Sequence, residues 1–161
     1  MTITIETGTG DNPAANSYVT EAELTSYAAA RGVTLSADPA TLLIKAMDYA
    51  ETLPFPGQKT SEDQPLQWPR KNVRLDGYAV PDNMIPAALK NAQLITAVAI
   101  DQGRDPLAPI EPGIKREKVD VLEISYQDGA SSRALDVAIS RAWAKLVKAS
   151  GGTNQIPVSR G

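Results

Sequence analysis

The sequence predicts a mainly α fold, a small helical bundle of about four helices with one or two short strands and extended arms. Four segments carry apolar residues at helical spacing between recognisable start and stop signals. Strand-like alternation is confined to residues 3–5 and 118–126. The length of 161 residues suits one domain with a real core and is short for two. The expected organisation is a helical domain over 1–152, with a long loop inserted at 54–84 and a strand at 118–126, followed by a C-terminal arm at 153–161.

Ile3 and Ile5 alternate with threonines, and residues 8–16 read as a loop. The first helix starts after Thr20, with Glu23 placed to complete a capping box, and runs through Ala22, Leu24, Tyr27, Ala28 and Ala30 to a stop at Gly32. The second starts at Asp38-Pro39, an acidic cap followed by proline at the first helical position. Its stripe is Leu43, Met47, Ala50 and Leu53, and Pro54 and Pro56 end it. Residues 54–84 show no periodicity and read as a long ordered loop, a kind that usually has a function. Within it, the prolines of Gln64-Pro65-Leu66-Gln67-Trp68-Pro69-Arg70 fix φ and remove amide donors, which predicts an extended docking segment presenting an indole beside a guanidinium.

The third helix starts at Ile85-Pro86, with the proline at the first helical position, and runs to about Gln102. From Leu94 through Val98 to Ile100 it is apolar all the way round, which places it either at the centre of a bundle or against a neighbouring subunit. In 118–126, Leu122, Ile124 and Tyr126 alternate with Glu123 and Ser125; a lone strand cannot satisfy its own backbone, so it requires a partner. The fourth helix, 132–149, carries Leu135, Ala138, Ile139, Ala142, Trp143, Leu146 and Val147 at steps of three and four, with Trp143 in the core. Residues 153–161, including Ile156, Val158 and Arg160, are too short and polar to pack as an element.

Composition narrows the chemistry. With neither histidine nor cysteine, a Ser-His-Asp triad, a thiolate nucleophile and a disulfide framework are all unavailable, and a zinc site would have to be all carboxylate. No catalytic residue, metal ligand or cofactor is expected. Asp48 and Glu51 share a helix face but read as solvated charges. Gly8-Thr9-Gly10 lacks the third glycine and the flanking elements of a dinucleotide site. No apolar run approaches the roughly 20 residues of a membrane span.

The net charge of −3 argues against a protein whose main work is gripping phosphates. The charge is uneven, with seven acids between Asp101 and Asp128 and a basic excess of Arg133, Arg141, Lys145, Lys148 and Arg160 against Asp136 after residue 130, as suits self-stacking or solvated helix faces. Trp68 admits three readings. It stacks on a base beside Arg70 and Lys71, it anchors a protein contact, or it plugs the bundle while Arg70 bonds loop carbonyls.

Ala15-Asn16-Ser17-Tyr18, Ala30-Arg31-Gly32, Asp48-Tyr49, the segment from Gln64 to Arg70, Asp76-Gly77-Tyr78, Ile85-Pro86, Glu117-Lys118-Val119 and Tyr126 before Asp128-Gly129 together resemble a family of small tailed-phage proteins. They are often labelled "DnaT-like putative single-stranded DNA-binding protein", and also look like head-tail connector (adaptor) proteins. The connector resemblance implies a non-enzymatic structural protein of the virion neck, made in the host cytoplasm. It would form a dodecameric homo-oligomer ring under the portal protein, extend a channel through which double-stranded DNA passes without specific binding, and dock a tail or tail-completion protein.

On that reading Trp68, Arg70, Leu94, Val98, Leu122, Ile124 and Tyr126 form subunit or partner interfaces, and Ile156, Val158 and Arg160 belong to a portal-binding arm. The alternative is a single-stranded DNA-binding accessory protein of phage replication, carried by Trp68, Arg70 and the basic last helix.

Overall fold

The computed structural model describes residues 2–108 and 129–148. They form α1 (Glu21–Ala29), α2 (Pro39–Glu51), β1 (Gln58–Lys59), β2 (Arg70–Lys71), β3 (Arg74–Leu75), β4 (Tyr78–Ala79), α3 (Ala87–Asp101) and α4 (Gly129–Ala144). The mainly helical architecture follows the sequence-based expectation. The strands, however, lie where a long ordered loop without strands was expected: β1 pairs antiparallel with β2, and β3 with β4. The expected strand at 118–126 and arm at 153–161 lie outside the described residues, as do Leu122, Ile124, Tyr126, Ile156, Val158 and Arg160. The expected strand at 3–5 shrinks to a single bridge between Ile5 and Ser17, because only one stretch of neighbouring backbone meets it.

Local signals set the helix ends. At α1 the Thr20 hydroxyl accepts from the Glu23 amide while the Glu23 carboxylate accepts from the Thr20 amide, a complete capping box. Gly32, at φ 70°, lets the chain turn so that the Val33 amide reaches the Ala28 carbonyl. Asp38 caps α2 through the Thr41 amide. Pro86 is the N-cap of α3 instead of its first helical residue. α4 begins and ends earlier than the 132–149 expected. After Trp143 the chain tightens to give a Leu146 amide to Trp143 carbonyl bond, and the Lys148 amide then donates to Pro54, exchanging a last helical turn for a tertiary bond.

α3 is the central helix: α2 and α4 cover most of it and α1 packs at its side. Its round-apolar half is thus enclosed within one chain, with Val98 in the core and Leu94 half-buried at its margin. Of the two placements expected for it, the centre of a bundle is the one the described residues show. Two polar residues on α3 organise the packing. Gln93 accepts from the Tyr18 amide and donates to the Ser17 hydroxyl, and the Thr96 hydroxyl accepts from the Trp143 indole at 2.9 Å. On α4, Ile139 and Trp143 are buried and Ala142 half-buried, whereas Ala138 is exposed; in the turn that follows, Leu146 is buried and Val147 half-buried. An Arg104–Asp136 ion pair ties the end of α3 to α4.

The last residue of α3 also holds the α1–α2 connection. The Asp101 carboxylate accepts from the Ser36 amide, the Ser36 hydroxyl and the Ala37 amide. Partial burial opposes its ionisation, but these bonds outweigh that and hold its pKa below the ordinary aspartate value. A depressed folded-state pKa contributes stability above the unfolded-state pKa that disappears as pH falls through the folded value. Asp101→Asn should therefore lose about 1 kcal/mol at neutral pH, a modest figure because water screens the site. In urea titrations the two proteins should converge as pH drops below the ordinary aspartate range.

Candidate nucleic-acid interface

The Gln64 to Arg70 segment is stitched inward. The Gln64 side-chain amide donates to the Leu66 and Pro69 carbonyls and accepts from the Thr60 amide and hydroxyl. Trp68 is 0% exposed, its ring edge-on to Phe55, and its amide donates to the Tyr18 hydroxyl. Burial, then the nearby Glu51 carboxylate, pushes the Tyr18 hydroxyl pKa far up, so it remains a neutral partner. Arg70 is buried as well. Its guanidinium donates to the carbonyls of Pro56, Gly57 and Gln67 and to the Gln67 side chain. The expected presentation of Trp68 and Arg70 to a partner is thereby corrected: tertiary contacts from distant positions turn both inward.

The other sequence candidates are likewise occupied or apart. Glu51 accepts from the Gln67 amide at 2.9 Å, and burial raises its pKa against that bond and the charges of Lys59 and Arg70. Asp48 is exposed. The Gly8-Thr9-Gly10 turn wraps a carboxylate of its own chain, because Glu6 accepts from the amides of both glycines. A Cβ on Gly10 would stand 2.8 Å from the Thr60 hydroxyl, so this turn packs on the loop that carries Trp68.

The exposed chemistry lies immediately beyond that loop. Asp76 and Gly77, at φ 49° and 86°, make a two-residue turn with both central residues left-handed, the geometry that matches strand twist and that Asp-Gly favours. In the resulting register Leu75 faces Tyr78, Arg74 faces Ala79, and the Val80 amide bonds the Val73 carbonyl. Opposed residues share a face and successive ones alternate. One face is therefore Val73, Val80, Leu75 and Tyr78. Val73 is buried and Leu75 and Val80 pack on the core, whereas Tyr78 is 79% exposed at the far end.

Arg74 donates from its guanidinium to the Gly77 carbonyl at 2.8 Å, which carries a positive charge to the turn next to Tyr78. Lys71, Asn72, Arg74, Ala79, Pro81 and Asp82 line one shallow concavity on this hairpin. Gly57 supports it from behind: a Cβ there would meet the Lys71 carbonyl at 2.3 Å and Val73 at 2.7 Å. The hairpin thus carries an open aromatic ring on one face and two exposed cations along the concavity of the other, residue types with which proteins stack a base and hold phosphates. Sequence reasoning had missed it. The signal was Asp76-Gly77 between the alternating Val73, Leu75 and Tyr78, Val80.

A family model described as "Putative DnaT-like ssDNA binding protein" matches residues 1–161. No curated protein and no solved structure matches the chain. The family match overturns the head-tail connector expectation, with its virion neck, ring under the portal, portal-binding arm and DNA ejection channel, because the model spanning the chain is one of single-stranded DNA binding. Since that model covers the whole sequence, the chain belongs to the family of putative DnaT-like ssDNA binding proteins.

Proposed function

We propose that this protein binds single-stranded DNA through the β3–β4 hairpin, with Tyr78 as the stacking platform and Arg74 and Lys71 as phosphate contacts. The observation that carries the reading is the 79% exposure of Tyr78 at the end of a hairpin whose inner end is locked into the core. An apolar ring held out into water by a rigid support is ready to receive a base with little ordering of its own. Membership of the family supports the nature of the ligand. The chain is acidic overall, so favourable contact with phosphate depends on local cations, which Arg74 and Lys71 supply on this hairpin.

Fluorescence anisotropy of a labelled oligothymidylate, somewhat longer than the roughly 4–16 nucleotides a small binding fold covers, tests the reading. Tyr78→Ala should weaken binding by about 1–3 kcal/mol, the range for one stacked base. With two cations engaged, log K should fall against log salt with a slope of about −1.4, and Lys71→Ala should flatten it by about 0.7. Undiminished binding by Tyr78→Ala would remove the hairpin from the interface.

A further inference from the structure

We propose that the form of DNA this hairpin takes is the boundary between a duplex and a single strand: Tyr78 caps the last base pair, and Arg74 and Lys71 hold phosphates of the strand that continues. This rests on the reading of the hairpin as the DNA-binding surface and names the ligand more narrowly.

Among the described residues one aromatic ring is open. Tyr18, Phe55, Trp68 and Trp143 are buried, Tyr49 packs half-buried edge-on to Trp143, and the face of Tyr27 is covered by the Arg31 guanidinium 3.4 Å from its centre. Along the same hairpin stand two exposed cations, Arg74 bonded to the turn and Lys71 just before β3, followed by two exposed acids, Asp76 in the turn and Asp82 past β4, which repel a longer phosphate track. So short a set of contacts suits an ordered ligand better than a flexible one. Each nucleotide of a free strand must be ordered at the surface, and one ring with two cations offsets little of that entropy. The end of a duplex is already ordered and presents one flat, uncovered face, and the strand emerging from it brings phosphates close by. The hairpin is also narrow, with strands of two residues each, and Tyr78 stands at its outer end. It can reach the end of a stack without bringing the acidic body of the protein alongside the duplex phosphates.

The test compares one labelled sequence as a single strand, as a blunt duplex and as a duplex with a single-stranded overhang, bound by wild-type protein, Tyr78→Ala and Tyr78→Phe. The overhang duplex should bind about tenfold or more tighter than either other form, a preference lost in Tyr78→Ala and retained in Tyr78→Phe. Aminopurine in the terminal pair should change its fluorescence on binding. A single strand bound as tightly as the overhang duplex overturns this inference and leaves single-strand binding standing. Equal affinity for the blunt duplex overturns it too, since the continuing strand then contributes nothing. Failure to bind any of the three overturns both readings.

Discussion

Trp68→Ala should cost about 3–5 kcal/mol of folding stability, the range for truncating a large core aromatic. The indole has no exposed surface and lies among Phe55, Leu66, Val73, Leu89 and the residues around Trp143, where the loop, α2, α3 and α4 meet. A domain of this size has about 5–15 kcal/mol in total, so the variant should lose about a fifth of its stability or more. Urea unfolding followed by the fluorescence of Trp143 measures the loss. Trp68→Phe should cost less, because the Trp68 indole nitrogen is buried without a hydrogen-bond partner and phenylalanine removes that uncompensated donor along with some volume. Tyr78→Ala, on an exposed side chain, should stay within about 0.5 kcal/mol of wild type. An unaltered midpoint for Trp68→Ala would contradict the buried position.

Arg70→Lys should cost about 1.5–3 kcal/mol despite keeping the charge. The guanidinium is a planar fork whose nitrogens reach Pro56 on one side, Gly57 at the end and Gln67 on the other, at 2.6 to 3.1 Å. An ammonium concentrates its donors at one point and cannot span these acceptors, so at least one half-buried carbonyl is left without a partner. Burial already lowers the Arg70 pKa, against the favourable charge of the nearby Glu51 carboxylate, which indicates a site where desolvation must be met by hydrogen bonds. The damage should be local. Amide exchange should accelerate at Lys59 and Lys71, whose strands Arg70 joins to the preceding loop, before it changes in α3. A stability equal to wild type would show that the fork is dispensable.

The contrast between Trp68 and Tyr78 marks what sequence carries and what it does not. Helix caps were legible because they are local: Thr20 with Glu23, and Asp38 before Pro39, contain donor and acceptor within four residues. The stripe of α4 and the turn after it was legible where α3 and the Phe55 region cover it, at Ile139, Trp143 and Leu146, and failed at Ala138, which the packing leaves open. The prolines around Trp68 fixed its backbone but carried nothing about what faces its ring, since Tyr18 lies 50 residues away along the chain. The same limit applies to α3, whose apolar circumference fits a bundle centre or a subunit contact until α1, α2 and α4 are placed around it. Tyr78 escaped for a different reason. Strands of two residues give an alternation too short to stand out by itself, and it is the Asp-Gly turn between Val73, Leu75 and Tyr78, Val80 that marks the hairpin.

An amide and indole chemical-shift map recorded while titrating the protein with oligothymidylate at low salt tests the central claim most directly. The shifts should concentrate on Lys71 to Asp82 and be largest around Gly77 and Tyr78, while the indole signals of Trp68 and Trp143 stay in place. Shifts centred on the Trp68 indole with the hairpin unmoved would contradict it.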